Sequence, residues 1–361
     1  MRTYLDHNAT SPLRENVKQA MRAAMDVDGN ASSVHREGRH ARKLLDDSRE
    51  TLARSIGVIS PMISFTSGGS EANNLAIKNA PVDRILVSAI EHPAVIEAAK
   101  AVNKPAEFIP VTAQGVVDLE ALAKMLDGPK ALVSVMLANN ETGVIQPVRE
   151  IVALAQAHDA LVHTDAVQAF GKIHVNFGML GVDMMTLAAH KVGGPTGIGA
   201  LIVRDGLPLE PLIHGGGQEL RRRAGTENLV GIAGFAALAQ EKLLEIKILR
   251  DELESKLEDA VIFGRSAERL PNTVYFSQPG MSAETLLMNF DLEGIAVSSG
   301  SACSSGKVTR SHVLSAMGVA PELARGAIRI SLGWNTTQEN IEHFISVWRK
   351  LQARQKAKVA A

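Results

Sequence analysis

Residues 161–203 read LVHTDAVQAFGKIHVNFGMLGVDMMTLAAHKVGGPTGIGALIV and contain three short, mostly apolar runs. The runs are Leu161–Ala166, Asp183–Ala188 and Gly199–Val203. Short apolar runs of this kind are typical of strands that are buried on both faces of a sheet. We therefore predict that the three runs are strands of a sheet covered on both sides.

The same pattern extends toward the N-terminus, with helical periodicity between the runs. Further strand-like runs lie at Met62–Thr66, Arg84–Ile90, Glu107–Val111 and Ala131–Met136, and helix-period segments at Leu119–Leu126 and Val148–Ala157. Because strands alternate with helices over residues 60–204, we predict an α/β fold with a mostly parallel sheet covered by helices.

The pattern changes near residue 250, where we place a domain boundary. A long helix is predicted from Glu227 to Leu257, and another from Thr337 into the C-terminal tail. Strand-like runs among helices follow the boundary, at Ala260–Phe263, Thr273–Ser277, Ala296–Ser298 and Ile328–Leu332. We predict a large domain from residues 13–250 and a smaller α+β domain from residues 1–12 and 251–361.

The composition argues against several classes of protein. The 361 residues carry 38 Lys+Arg and 39 Asp+Glu, and this net charge of -1 gives no basic excess for binding nucleic acid or an anionic membrane. No uncharged stretch reaches the roughly 18–20 residues of a membrane helix, and Asp6 and Pro12 interrupt any secretion signal. The only cysteine is Cys303, which rules out an internal disulfide and a multi-cysteine zinc site. We expect a soluble, cytoplasmic protein.

A glycine-rich motif, TSGGSEAN at residues 66–73, follows a predicted strand and opens a predicted helix. The free N–H groups of a helix start bind phosphate, and glycine lets the backbone approach a ligand closely. The motif matches neither the dinucleotide-binding nor the P-loop fingerprint. The simpler alternative is a turn in which Ser70 caps the helix.

Two charged residues follow the strands of the opening stretch. Lys191 precedes Gly193-Gly194-Pro195, a turn that would hold its amine rigidly and suit a Schiff base with a carbonyl cofactor. Asp165 ends its strand, at the sheet edge where ligands gather, and could pair with a pyridinium nitrogen. The alternatives are an exposed turn lysine and a helix-capping aspartate.

Further polar clusters follow other strands or fill loops. These clusters are Glu91-His92-Pro93, residues 139–143 (NNETG), the glycine-rich loop 215–228 with Arg221–Arg223, and residues 298–306 (SSGSACSSG). A cysteine among serines and glycines is expected to be exposed and reactive. Five clusters fall at the ends of predicted parallel strands, which is where an α/β active site is built.

Together these motifs resemble the cysteine desulfurases of the NifS/IscS type, in the class-V aminotransferase family. The resemblance runs from YLDHNAT at residues 4–10 through GNASSVH at 29–35 to RISLG at 329–333, and includes His190-Lys191 and SSGSAC at 298–303. It implies the pyridoxal 5'-phosphate (PLP) transferase fold type I, which is aspartate-aminotransferase-like. The large domain would bind PLP, and the small domain would carry the catalytic-cysteine loop.

The resemblance also implies roles around the cofactor ring. Lys191 would carry the PLP Schiff base and move the substrate Cα proton, and Asp165 would pair with the pyridine nitrogen. Gln168 would hydrogen-bond the phenolic oxygen. His92 would stack on the ring and relay protons.

Other positions would bind the phosphate and the substrate. The implied phosphate ligands are Gly69, Ser70 and His190, with Thr226 reaching the phosphate from the other subunit of a homodimer. Asn140, beside the cofactor, and Arg329 would bind the substrate carboxylate, and Cys303 would be the nucleophile.

The implied reaction converts L-cysteine to L-alanine and leaves a persulfide on Cys303. The sulfur would pass to an iron–sulfur scaffold or another acceptor protein. No resident metal is implied, although Cys303 could bind a cluster iron transiently. The alternatives are a selenocysteine lyase and a catalytically reduced scaffold protein with the same fold. Ala188 and Thr196 replace residues that many relatives use, and Ala188 removes one hydroxyl expected near the phosphate.

Overall fold

The computed structural model of the chain describes residues 2–243, 245–300 and 310–360. The strands, β1 to β12 in chain order, are Thr3–Tyr4, Ile63–Thr66, Arg84–Ser88, Ala106–Ile109, Ala131–Ser134, Leu161–Asp165, Met184–Ala188, Gly199–Val203, Val261–Ile262, Thr273–Ser277, Ile295–Ala296 and Ala327–Ser331. The α-helices, α1 to α13, are Glu15–Met25, Arg36–Ile56, Gly69–Asn79, Pro93–Lys100, Leu119–Met125, Val148–Ala157, Phe177–Leu180, Leu229–Ala239, Lys247–Ser255, Ala283–Leu292, His312–Ala316, Pro321–Ala324 and Gln338–Ala360.

The largest sheet has seven strands in the order β2-β8-β7-β6-β5-β3-β4. β8 is antiparallel to both of its neighbours, and the other neighbouring pairs are parallel. All strands of this sheet except the edge strand β4 are buried along their whole length, which explains their apolar sequences. The predicted mostly parallel sheet is confirmed, and six of its seven strands end at the same edge.

Helices cover both faces of this sheet. On one face α8 packs between α1 and α2 and brings Ile232 and Phe235 into the main hydrophobic cluster. Almost every side of α8 is apolar, as expected for a helix enclosed by other elements. On the other face α3 and α4 form a second cluster around Leu75 and Val95.

Two smaller sheets belong to a separate hydrophobic cluster. Strands β12-β10-β9 are antiparallel, and β1 pairs in parallel with β11. Trp348 of α13 lies edge-on against Phe276, with ring centroids 5.2 Å apart, and Leu5 of the N-terminal segment joins this cluster. The domain division at residues 13–250, against 1–12 with 251–361, stays a prediction that these separate clusters support.

The predicted single helix from Glu227 to Leu257 is wrong, because the structure has two helices there. Asn228 caps α8 by accepting a hydrogen bond from the Gly231 amide, and α8 ends at Ala239. The next helix, α9, places Leu253 in the cluster that contains Trp348, whereas α8 packs on the large sheet. One straight helix could not serve both cores, and sequence periodicity alone does not show that change of direction.

None of the described helices is both long and apolar enough to cross a membrane. Within the described ranges, no group of three or more His, Cys, Asp or Glu side chains is arranged to hold a metal ion.

Candidate active site

A cavity of about 650 Å³ lies at the edge of the large sheet where the parallel strands end. The loops that follow β2, β3, β5, β6 and β7 all contribute to its wall. Nine of the predicted site residues line it: Gly69, Ser70, His92, Asn140, Asp165, Gln168, His190, Lys191 and Arg329. Residues far apart in the sequence therefore meet around one space that can hold a small ligand.

The amine of Lys191 is held between two main-chain carbonyls. Its Nζ donates to the Asn8 and Ala9 oxygens, each at 3.0 Å. Burial and, to a smaller extent, the nearby Arg329 guanidinium lower the pKa of Lys191 to about 8, against the opposing effect of Asp165. A larger share of this amine is therefore unprotonated near neutral pH than in an ordinary lysine, as nucleophilic attack on a carbonyl requires.

Asp165 is a buried carboxylate that is held by neutral donors. Asn73 Nδ2 donates to its Oδ2 at 2.7 Å, and the Val167 amide donates to its Oδ1 at 2.9 Å. No cationic side chain of the described residues lies within ion-pair distance of it. A buried anion is costly without a cationic partner, so this site fits a ligand that brings a protonated ring nitrogen.

Gln168 faces the same cavity one turn beyond Asp165. Its Nε2 donates to the Asn8 carbonyl at 3.0 Å, the same oxygen that accepts from Lys191. Its Oε1 accepts a hydrogen bond from Lys172 Nζ at 2.7 Å. One N–H of the amide therefore remains available for a ligand in the cavity.

Two histidines of the cavity wall, His92 and His190, favour their neutral forms. His92 caps α4, where its Nδ1 accepts a hydrogen bond from the Ala94 amide at 3.1 Å. Burial lowers the pKa of His92, and burial together with Lys191 lowers the pKa of His190 to about 4. His190 can therefore hold an anion by donating a hydrogen bond, and it adds no full charge near pH 7.

One end of the cavity is formed by the N-terminus of α3. The helix begins at Gly69, and its cap residue Gly68 has φ +154°, a conformation that other residues rarely adopt. A Cβ atom on Gly69 would lie 3.0 Å from the Val167 side chain, so this wall tolerates little more than glycine. Ala188 also lines the cavity and provides no hydroxyl. Free helix N–H groups at this end fit a phosphate.

Arg329 closes the opposite end of the cavity. Its NH1 group donates to the Asn140 carbonyl at 2.8 Å, and its NH2 group pairs with Asp6 at 2.9 Å. Its Nε is buried and has no hydrogen-bond partner among the described residues. A guanidinium that still has a donor to satisfy suits a small carboxylate ligand.

The groups around this cavity match the four functional groups of PLP. The lysine amine suits the aldehyde and the buried carboxylate suits the ring nitrogen. The start of α3 suits the phosphate, and the Gln168 N–H suits the phenolic oxygen. The aminotransferase class-V family model matches residues 3–344. A cysteine desulfurase IscS of Dictyoglomus turgidum is 43% identical, over 96% of this chain and 94% of that relative. The chain belongs to the cysteine desulfurase family. Members of this family use PLP, so the predicted family, enzyme class and cofactor are confirmed.

Solved structures of the family agree with this assignment. A NifS-like protein from Rickettsia africae superposes with a TM-score of 0.91 at 40% identity, over 98% of this chain and all of that one. SspA in complex with cysteine superposes with a TM-score of 0.83 at 32% identity, over 91% of this chain and 98% of that one. The predicted fold type I is therefore confirmed.

One described residue that was predicted for the site of this desulfurase is not part of the cavity wall. Thr226 is exposed and lies in a separate groove beside residues 29–31 and the start of α8. Cys303 lies outside the described residues. Ser298 and Gly300 on one side of it, and Arg310 on the other, line the cavity, so the chain enters and leaves segment 301–309 at the active site.

Sequence reasoning missed two residues that hold side chains of the candidate site, Asn8 and Asn73. Asn8 holds both Lys191 and Gln168 through its carbonyl oxygen, and Asn73 holds Asp165. Asn73 could have been found, since it ends the glycine-rich motif 66–73. Asn8 lies in the N-terminal run 4–10, and only the shape of the folded chain brings its backbone to the cavity.

Proposed function

We propose that this chain removes sulfur from L-cysteine with PLP bound at Lys191, producing L-alanine and a persulfide on Cys303. The observation that carries this proposal is one cavity that joins an amine of lowered pKa, a buried carboxylate, and a guanidinium whose Nε–H has no partner among the described residues. SspA, a relative with the same fold, has been solved in complex with cysteine. The alternative of a scaffold protein without catalysis is disfavoured, because these groups are retained.

PLP would lie between Asp165 and the start of α3, where it supplies an electron sink for the Cα–H and Cβ–S bonds of the substrate. Asp165 would keep the ring nitrogen protonated, and Gln168 would donate to the phenolic oxygen. Lys191, with a pKa of about 8, would accept the Cα proton as an amine and later return a proton as an ammonium.

Arg329 and Asn140 would hold the substrate carboxylate and so place the sulfur toward the ends of segment 301–309. The Cys303 thiolate would then attack that sulfur while the Cβ–S bond of the substrate breaks. The electron pair of the broken bond would stay on Cβ, which would then take up a proton. The sum is L-cysteine plus thiol giving L-alanine plus persulfide, so atoms and electrons balance without an added oxidant. His92, whose Nδ1 is engaged with Ala94, would stack on the ring and relay protons through Nε2.

The sulfur would then pass to an acceptor protein, and an iron–sulfur scaffold is the acceptor that the IscS names of the relatives favour. We further propose a homodimer, because Thr226 lies apart from the cavity of its own subunit and could reach the phosphate of a second copy. A catalytic cysteine that must stay reduced between turnovers favours the cytoplasm.

The test measures alanine and sulfide released from L-cysteine, with dithiothreitol present to discharge the persulfide. Cys303→Ala is expected to bind PLP normally and to lose cysteine turnover by at least about a hundredfold. The control is Ser346→Ala, which changes an exposed small side chain on α13, away from the cavity, and leaves Cys303 in place. Unchanged alanine release by Cys303→Ala would contradict the mechanism.

Selenocysteine offers a second measurement on the same variant. Selenium leaves more easily and need not be attacked by an enzyme thiol. If Cys303→Ala keeps full activity on both amino acids, the selenocysteine lyase alternative replaces our proposal. Sedimentation equilibrium tests the dimer, and a monomeric PLP-loaded protein would refute the role of Thr226 across subunits.

A further inference from the structure

A second lysine, Lys172, is buried beside the active site without an acidic partner. Only 2% of it is exposed, and its Nζ donates to Gln168 Oε1 and Asn8 Oδ1, both at 2.7 Å. Among the described residues no carboxylate lies within ion-pair distance of this amine. Buried lysines normally have a charged partner, so this arrangement needs another explanation.

The charges that surround Lys172 favour its neutral form. Burial, with the cationic Lys191 and Arg329, holds the pKa of Lys172 well below its usual range. The other titratable groups that face it are His7 and His190, and both have a pKa lowered to about 4. A neutral amine has two N–H groups, and here two amide oxygens accept them.

Hydrogen-bond chemistry then fixes the direction of the Gln168 amide. Lys172 Nζ donates to Oε1 of Gln168, and the Asn8 carbonyl can only accept from Nε2, so the two contacts together direct Oε1 away from the cavity. Nε2 therefore faces Asn8 and the ligand, and the amide offers an N–H group to the cavity and no oxygen. Asn8 is fixed in the same way, because its Oδ1 also accepts from Asn272 and its Nδ2 donates to Thr273.

We propose that Lys172 is a positioning residue that locks Gln168 with its N–H toward the phenolic oxygen of PLP. This inference rests on the proposed role of Gln168. A hydrogen bond donated to that oxygen stabilises its anionic form and so favours loss of a proton from the bound cofactor. Without Lys172 only the 3.0 Å hydrogen bond from Nε2 to the Asn8 carbonyl orients the amide, so the turned amide, whose oxygen would oppose the anion, becomes less costly.

The test is a pH titration of the visible absorbance of the PLP-loaded protein. Lys172→Met keeps the length and apolar character of the buried stem but removes both N–H groups. We expect the absorbance midpoint to rise by about one pH unit, which is tenfold in the proton-binding equilibrium. Lys104→Met is the control, since the Lys104 amine donates to the Ala80 carbonyl and makes no hydrogen bond to the cavity wall among the described residues.

Gln168→Met separates the two parts of the argument. If Gln168→Met raises the midpoint and Lys172→Met adds nothing further in that background, Lys172 acts through Gln168 as proposed. If Gln168→Met raises the midpoint and Lys172→Met leaves it unchanged while lowering only the melting temperature, Lys172 is merely structural and the inference fails. If Gln168→Met itself has no effect, the proposed role of Gln168 is wrong and the inference falls with it.

Discussion

Replacing Arg329 with methionine should slow the capture of PLP by the cofactor-free protein at neutral pH. The pKa of Lys191 is about 8, so roughly one amine in eleven is free at pH 7. Arg329 lines the same cavity of about 650 Å³, and a sphere of that volume is about 11 Å across. Two unit charges at that distance interact by about 1.5 kcal/mol at an effective dielectric constant of 20, which is about one pKa unit.

Removing Arg329 should therefore raise the pKa of Lys191 toward 9 and leave about one free amine in a hundred at pH 7. The rate of PLP capture, followed by absorbance after rapid mixing from pH 6 to 10, should fall about tenfold at pH 7. At high pH, where the amine is free in both proteins, the rates should converge. Dividing each rate by that of a free lysine derivative corrects for the chemistry of PLP itself.

Arg325→Met is the matched control, because Arg325 is exposed and does not line the cavity. Its midpoint should equal that of the unaltered protein. A midpoint for Arg329→Met that stays near 8 would show that burial alone sets the reactivity of Lys191. A midpoint near 10.5 in the unaltered protein would refute the whole account of this amine.

Three further outcomes follow from other contacts. Asn73→Leu leaves a buried oxygen of Asp165 without a hydrogen-bond donor. The melting temperature of the cofactor-free protein should therefore fall by about 2–4 °C and should partly recover when PLP is added. An unchanged melting temperature would refute the contact. Glu219→Gln removes the charge that pairs with buried Arg49 at 2.6 and 2.9 Å. Calorimetry should show that the melting temperature falls by about 4–7 °C. A fall of less than about 1 °C would contradict this account of the ion pair. His190→Asn keeps a hydrogen-bond donor, so its affinity for PLP in a fluorescence titration should stay within about threefold of that of the unaltered protein. The affinity of His190→Leu should fall tenfold or more. Equal losses of affinity in the two variants would show that His190 holds the phosphate as a cation.

The sequence was sufficient for the large sheet and for most of the cavity wall. Parallel strands direct their ends to one edge, so polar clusters that follow β2, β3, β5, β6 and β7 meet there whatever connects them. This is why Lys191 and Asp165 could be placed together from apolar runs and flanking residues alone.

Positions defined by long-range packing could not be found in that way. Lys172 looks like an ordinary turn lysine in the sequence, and only the folded chain shows that Gln168 and Asn8 enclose its amine. The break between α8 and α9 has the same origin, because it depends on which core each half of the segment meets. Neither feature changes the hydrophobic periodicity of the sequence.

The pairing of β1 with β11 has a consequence for how the protein folds during its synthesis on the ribosome. Thr3 and Tyr4 are synthesised about 290 residues before their partners Ile295 and Ala296, or roughly 15–60 s earlier at ordinary translation rates. Until those partners exist, β1 cannot fix the nearby Asn8 carbonyl, which holds Lys191. The growing chain therefore has no finished pocket for a B6 vitamer before residues 295 and 296 have left the ribosome.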